Sequence, residues 1–83
     1  MFALRKFRLE FVLSSRGMSE DMLRRAIEGI GEEIEIAFCP DSEVNGEVKF
    51  HVYLNTDDPE LVFDICSQYG KLMSVKIDES SGN

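Results

Sequence analysis

The sequence predicts a two-layer α+β sandwich built from one strand–helix–strand unit that occurs twice in 83 residues. Four segments alternate apolar with polar residues, which is the pattern of a strand with one buried face. Two further segments repeat apolar residues at helical spacing, and each lies between a pair of those strands. Glycines and an Asn-Gly pair separate the segments, as expected of turns.

The first unit occupies the first half of the chain. Its first strand has four apolar residues at alternate positions: Phe7, Leu9, Phe11 and Leu13. Ser19 is suited to cap the following helix, because its hydroxyl can accept a backbone N–H and acidic residues follow it in the first turn. Gly31 is predicted to end this helix in the left-handed conformation. The second strand then buries Ile34, Ile36 and Phe38.

The second unit repeats this order. Its first strand has a buried row of Val48, Phe50, Val52 and Leu54. Asp58 and Pro59 fit the cap and first position of a helix. The buried stripe predicted for that helix is Leu61, Val62, Ile65, Cys66 and Tyr69. Gly70 is predicted to end it, and the last strand follows with Met73, Val75 and Ile77 on its buried face.

The hairpin between the second and third strands is constrained by the pairing of their buried rows. Directly opposed residues of an antiparallel pair share a face. The buried residues of both strands have even numbers, so the numbers of any two paired residues must sum to an even value. A two-residue turn at Asn45-Gly46 breaks that rule. We therefore predict a three-residue loop with Gly46 at positive φ, which places Phe38 opposite Val52; a bulge at Cys39-Pro40 is the alternative.

The order βαββαβ is typical of the split-βαβ, ferredoxin-like sandwich, with antiparallel sheet order 4-1-3-2 and both helices on one face. Residues 1–78 are predicted to form a single domain, because a chain of this length has room for one core. Residues 79–83 are predicted to be a disordered tail. The fold hosts many functions, so function has to be argued from particular residues.

Composition predicts a cytoplasmic protein with a net charge of −7. No apolar run approaches the ~20 residues of a membrane span. The segment 1–6 has its basic residues after the apolar ones, which does not fit a signal peptide. Cys39 and Cys66 have no metal-site or disulfide spacing, so we expect reduced thiols.

The charge is unevenly distributed along the chain. Residues 1–25 carry six basic side chains against three acids, whereas residues 26–83 carry three lysines against 13 acids. In the predicted topology one end of the sandwich gathers seven carboxylates: Glu32, Glu33, Asp57, Asp58, Glu60, Asp78 and Glu79.

Carboxylates from two adjacent turns are the hard oxygen ligands that Ca²⁺ and Mg²⁺ prefer. The candidate metal ligands are Glu32, Glu33, Asp57 and Asp58, and the sequence implies no cofactor other than this divalent cation. The competing explanation is that Asp58 caps a helix and the other acids are solvated.

Catalysis and nucleic-acid binding find little support. His51 is the only histidine, and the chain has neither a glycine-rich phosphate loop nor a Cys-x-x-Cys pair. Aromatic His51 and Tyr53 lie on one central strand, but the other offers Arg8 and Glu10 instead of stacking aromatics. The negative charge also weakens contact with phosphates. We expect a protein that is not an enzyme and does not bind nucleic acid.

Four residues form the candidate protein interface. Phe63 falls about 120° from the centre of the predicted stripe of the second helix, at ~100° per residue, and is expected to be exposed. Val12, Tyr53 and Leu72 are predicted on the open face of the sheet. Apolar residues exposed together indicate self-association.

The segment Leu13-Ser14-Ser15-Arg16-Gly17-Met18-Ser19 places a glycine between the first strand and the first helix. With this feature, and at the level of pattern over most of its length, the chain resembles the ACT-type regulatory domains. Those domains bind amino-acid effectors at that loop. Where they have an acid-x-Pro-Gly motif this chain has Ser15-Arg16-Gly17, so the resemblance chiefly implies pairing with another copy or domain.

Together these observations predict a non-catalytic binding or regulatory module that acts through protein–protein or small-ligand contacts as a homodimer. The alternative is a divalent-cation binder that uses the acidic cluster of the 31–33 and 56–60 turns.

Overall fold

The computed structural model describes residues 6–44 and 46–79, with the backbone alone for 40–44. The elements are β1 (Phe7–Arg16), α1 (Glu20–Ile27), β2 (Glu32–Val44), β3 (Glu47–Thr56), α2 (Pro59–Ser67) and β4 (Gly70–Glu79). The strands form one antiparallel sheet in the order β2-β3-β1-β4, which is the predicted 4-1-3-2 order seen from the other edge. The helices contact each other and pack on the sheet. The ferredoxin-like α+β fold is confirmed.

β4 extends one residue beyond the predicted domain boundary at 78. Glu79 belongs to the strand, where it lies opposite Phe7 of β1. The remainder of the predicted tail, 80–83, lies outside the described residues.

Both helices begin at the predicted caps. The Ser19 hydroxyl accepts a hydrogen bond from the Met22 backbone N–H at 3.2 Å. The Asp58 carboxylate accepts one from the Leu61 N–H at 3.1 Å. Each cap satisfies a backbone donor that the helix itself leaves unpaired.

The hydrophobic core lies between the helices and one face of the sheet, which we call the inner face. Its buried members are Leu9, Phe11, Leu13, Met18, Leu23, Ile27, Phe50, Val52, Leu54, Val62 and Cys66. Three residues of each predicted row of β1 and β3 are among them, and Phe7 and Val48 are partly buried against the same core, so the assignment of faces on the two central strands is correct.

The hairpin confirms one prediction and contradicts another. Gly46 has φ of 82°, as predicted, while Asn45 lies outside the described residues. Phe38, however, lies opposite Phe50 and not opposite Val52. The predicted register of β2 against β3 is therefore wrong by two residues, although Phe38 keeps the inner face.

A bulge in β2 accounts for this register. From Cys39 to Val44 the strand advances five residues, whereas β3 advances only two between their partners Lys49 and Glu47. Val44 lies directly opposite Glu47, so the predicted three-residue loop is wrong. The three extra residues of β2 restore the alternation that this pair alone would break. The alternative prediction, a bulge at Cys39-Pro40, agrees with a register shift that begins after Cys39.

A second bulge changes the faces of β4. Glu10 lies opposite Lys76, but Val12 lies opposite Met73, so β4 carries one extra residue between these pairs. Ser74, inside this stretch, has φ of 54°. A non-glycine residue at positive φ is strained, and bulges are the usual place for it.

The bulge corrects the prediction for Leu72. Beyond it Leu72 lies opposite the buried Leu13, on the inner face, and packs against the core. Met73 takes the place opposite Val12 on the other face, which we call the outer face. An unpaired residue changes the relation between the faces of the side chains that precede it and those that follow it, because the side-chain period is two.

α2 is also rotated relative to the prediction. Val62 and Cys66 are buried, and Phe63 is half-buried with its ring edge-on to Phe11 at 5.9 Å between centroids. Two residues of the predicted stripe are exposed: Leu61 and Tyr69. The expectation that Phe63 points away from the core is therefore wrong.

The glycines that follow the helices allow another element to lie close to the backbone, and they do not adopt a positive φ. Neither Gly31 nor Gly70 has a positive φ, in contrast to the prediction. A Cβ at Gly70 would collide with the backbone carbonyl of Ser14, and one at Gly31 would collide with the Leu54 side chain. These positions exclude a side chain because another element lies against them.

The helices are much shorter than the strands. α1 has 8 residues and α2 has 9, against 10 to 13 residues in each strand. At ~1.5 Å per helical residue and ~3.3 Å per strand residue, helices of roughly 13 Å lie on a sheet longer than 30 Å. The edge strands are covered least. Phe38 of β2 and Ile77 of β4 are 45% and 49% exposed, although their central-strand neighbours Phe50 and Leu9 are buried.

Candidate binding surfaces

The predicted acidic end of the sandwich is organised around a lysine. The Nζ of Lys6 lies 2.5 Å from a carboxylate oxygen of Glu32. Its pKa is raised by the hydrogen bond to Glu32 and by the negative charges of Glu32, Asp57 and Glu33, although desolvation lowers it. The structure thus brings three of the four candidate metal ligands together, with an ammonium among them.

The remaining contacts of these acids are internal to the protein. Asn55 donates a hydrogen bond to the Glu33 carboxylate, and the Asp58 carboxylate caps α2. Within residues 6–44 and 46–79, no three His, Cys, Asp or Glu side chains are arranged to hold a metal ion. Lys6 was not predicted at this end, although the topology places the start of β1 beside the acidic turns.

The outer face of the sheet has an aromatic and apolar centre on its two middle strands and β4. His51 stacks on Tyr53 with 4.7 Å between ring centroids, and its Nε2 lies 3.0 Å from a Glu10 carboxylate oxygen. Val12 is opposite His51 on one side and opposite Met73 on the other. All five side chains are half-buried, although neither helix packs on this face.

Charges of both signs surround this centre. By register the outer face carries Arg8, Arg16, Lys49, Lys71, Lys76, Glu10, Glu32, Glu35, Glu47 and Asp78. Ser14 lies between Lys49 and Lys71 and is buried, and its hydroxyl donates to Glu47 at 3.3 Å. Three of the four lysines of the chain are on this face, so it is far less acidic than the net charge suggests.

The four candidate interface residues are divided between two sides of the molecule. Val12 and Tyr53 lie on the outer face, as predicted. Phe63 and Leu72 instead share a groove of about 630 Å³ on the other side, between α2 and β4. We call this the α2–β4 groove; its lining residues are Asp58, Glu60, Leu61, Phe63, Asp64, Ser67 and Leu72.

A smaller groove of about 480 Å³ opens where β2 begins. Arg8, Tyr53 and Asn55 line it together with Glu33, whose φ of 52° marks another bulge in β2. This groove results from the bulge at Glu33, and the hydrophobic periodicity of the sequence did not predict that bulge.

The loop between β1 and α1 is packed and hydrogen-bonded. The Ser15 hydroxyl donates to the Tyr69 carbonyl oxygen at 2.5 Å, and Met18 is buried. Gly17 has φ of 74°, so this turn does require a glycine.

Comparison with known proteins finds no matching family model, no matching curated protein and no matching solved structure. The resemblance to ACT-type domains stays a prediction from residues 13–19. In the described part of the chain, no helix combines the length and apolar character that crossing a bilayer requires.

Proposed function

We propose that this protein is a non-catalytic binding module that works as a homodimer through the outer face of its sheet. The observation that supports it is the half-buried centre of Val12, His51, Tyr53 and Met73 on a face that neither helix covers. Aromatic residues and methionine are enriched where protein interfaces are most buried.

The charges around this centre support a second copy as the partner. In a two-fold dimer a surface contacts an identical copy of itself. Each positive group on that surface must therefore lie opposite a negative group that the same surface also carries. Glu10 lies directly opposite Lys76 and Arg8 directly opposite Asp78 across β1 and β4. Residues of both signs alternate in this way over the outer face, which permits self-complementary pairing.

The dimensions of the face are compatible with a weak to moderate dimer. Four strands about 4.8 Å apart and ten residues of about 3.3 Å give roughly 600 Å². Stable interfaces bury about 800 Å² on each partner, so a dimer through this face belongs at the lower end of the range. We therefore expect dissociation within an experimentally accessible concentration range.

Cys39 and Cys66 are not joined to each other in the structure: Cys66 is buried in the core and Cys39 is half-buried on β2. The cytoplasmic location stays a proposal from the sequence.

Sedimentation velocity over a range of protein concentrations tests the proposed dimer. We expect the wild-type protein to shift from monomer to dimer, and Val12→Lys and Tyr53→Ser to remain monomeric. Met22→Lys is the matched control, because Met22 is an exposed apolar residue of α1 on the other side of the sheet. Circular dichroism verifies that each variant is folded. A monomeric wild-type protein at all concentrations, or folded sheet-face variants that still dimerise, would contradict the proposal.

A further inference from the structure

We propose that the α2–β4 groove is a docking site for a basic amphipathic peptide segment of another protein. This surface lies on the opposite side of the molecule from the proposed dimer face. Three features of the groove support the inference: uncompensated negative charge, an exposed apolar wall, and a rigid floor.

The negative charge of the groove is not balanced within the protein. α2 contains no lysine or arginine, and the groove lining includes three carboxylates and no cation. Asp58 caps the helix, whereas Glu60 and Asp64 make no ion pair within the part of the chain that the structure describes. Carboxylates in this setting attract a cationic partner.

α1 provides the comparison within the same molecule. Its two first-turn acids, Glu20 and Asp21, each pair with an arginine four residues later, at 3.8 Å and 3.3 Å. The two helices are similar in length and both begin with acids, yet the charges of α1 alone are compensated. The free negative charge of the helical layer is thus concentrated beside the groove.

The apolar part of the groove is partly solvent-exposed and held in place. Leu61 is 39% exposed, and Phe63 and Leu72 are half-buried in the lining. The Phe63 ring is fixed by its edge-on contact with the fully buried Phe11. A surface that is already ordered loses little conformational entropy when a partner binds.

Charge complementarity selects the partner. In a two-fold contact of this groove with its own copy, the acids of one molecule would face the acids of the other, and like charges repel. An uncharged apolar segment would desolvate the carboxylates without pairing them. A segment with apolar residues on one side and Lys or Arg beside them satisfies both parts of the groove, as in helix-in-groove recognition.

A synthetic peptide tests this inference. The probe is a fluorescein-labelled peptide of ~15 residues, the length at which isolated helices become marginally stable, with leucines at helical spacing and lysines elsewhere. Fluorescence anisotropy measures its affinity, and amide chemical shifts locate it on the protein. We expect saturable binding that weakens with added salt, with shifts confined to α2 and the neighbourhood of Leu72. The same peptide with Glu in place of Lys should not bind.

Matched variants separate the groove from general electrostatic attraction. We expect the double variant Glu60→Gln with Asp64→Asn to weaken binding about fivefold. This corresponds to a loss of ~1 kcal/mol in binding free energy, as expected for two exposed charges. Glu20→Gln with Asp21→Asn on α1 makes the same change in net charge and should leave affinity unchanged. Leu61→Ser should also weaken binding, whereas Met22→Ser should not.

Four results would overturn the inference: no binding of the cationic peptide, equal losses in the α1 and α2 variants, shifts on the outer face, or equal binding of the acidic peptide. Loss of the dimer in Leu61→Ser would also overturn it, because it would mean that a second copy covers the groove.

Discussion

Among individual residues, Cys66 gives the clearest dependence of stability on pH. Burial raises the pKa of its thiol from 9.0 to about 11. Between these values the unfolded chain releases the proton and the folded protein retains it, so stability falls as pH rises. At 1.36 kcal/mol per pKa unit, the loss reaches about 2 kcal/mol by pH 11.

Chemical denaturation from about pH 8 to about pH 11, a range that includes the unfolded and folded pKa values of Cys66, measures this effect. Tyrosines and lysines also titrate there, so the comparison is with Cys66→Ala, whose stability should fall less steeply with pH. Cys39→Ala is the matched control and should keep the wild-type slope. Parallel slopes for the wild type and Cys66→Ala would contradict the assignment.

Lys6 determines how the acidic end responds to ions. Its ammonium lies among Glu32, Asp57 and Glu33, so its removal leaves like charges without compensation. We expect the melting temperature of Lys6→Gln to rise with added NaCl more than that of the wild type, because salt screens this repulsion. Lys49→Gln makes the same change in net charge at the other end of the sheet and should respond as the wild type does.

Calcium distinguishes the divalent-cation alternative. Coordination saturates at low ion concentration, whereas screening requires ~0.1 M salt. Because the ammonium of Lys6 is already paired with Glu32 and lies near Asp57 and Glu33, we expect Ca²⁺ and an ionic-strength-matched amount of NaCl to shift the wild-type melting temperature equally. A larger shift with Ca²⁺, abolished by Asp57→Asn with Asp58→Asn, would establish a cation site instead.

Among the secondary-structure elements, β4 depends on one strained residue. Ser74 has φ of 54°, where a side chain is unfavourable and glycine is not. Ser74→Gly should therefore stabilise the protein by about 0.5–1 kcal/mol in urea denaturation. Lys76→Gly, on the regular part of the strand, should destabilise it by about 0.5–1 kcal/mol. A loss of stability in Ser74→Gly would show that the bulge is absent.

The same bulge shows where prediction from sequence stops. Alternation on β1 and β3 and the capping residues Ser19 and Asp58 depend on local chemistry, and the structure agrees with them. The face of Leu72 depends on an extra residue further along β4, and nothing in the alternation of Met73, Val75 and Ile77 indicates it. Periodicity fixes the relative faces within a segment only while the pairing is continuous.

The candidate surfaces were predictable to a similar extent. Val12 and Tyr53 follow from alternation alone, and both lie on the outer face. The position of Phe63 depends on how α2 is rotated against the sheet, which the packing of Val62 and Phe11 determines. The topology predicted the acidic end. The position of Lys6 within it depends on the start of β1 lying beside the acidic turns, and it was not predicted.

For the molecule as a whole, stability depends on a small core. Phe11 and Phe50 are buried on the two central strands, whereas Phe38 is 45% exposed. Phe11→Ala and Phe50→Ala should each cost about 3–5 kcal/mol, out of a total near ~5–8 kcal/mol for a domain of this size. Phe38→Ala is the matched substitution and should cost about 1 kcal/mol. Similar losses of stability for Phe38→Ala and Phe11→Ala in urea denaturation would mean that the core extends to the edge strand β2.

The difference in burial between central and edge strands has a consequence for the motions of the sheet. Backbone amides of β1 and β3, which carry the buried rows, can exchange with solvent deuterium only when the core opens as a unit. Amides near Phe38 and Ile77 lie on the edge strands β2 and β4, have fewer buried contacts and can open by local fraying. One continuous sheet thus contains two kinetic classes of hydrogen bond, slow in its central strands and faster at its two edges.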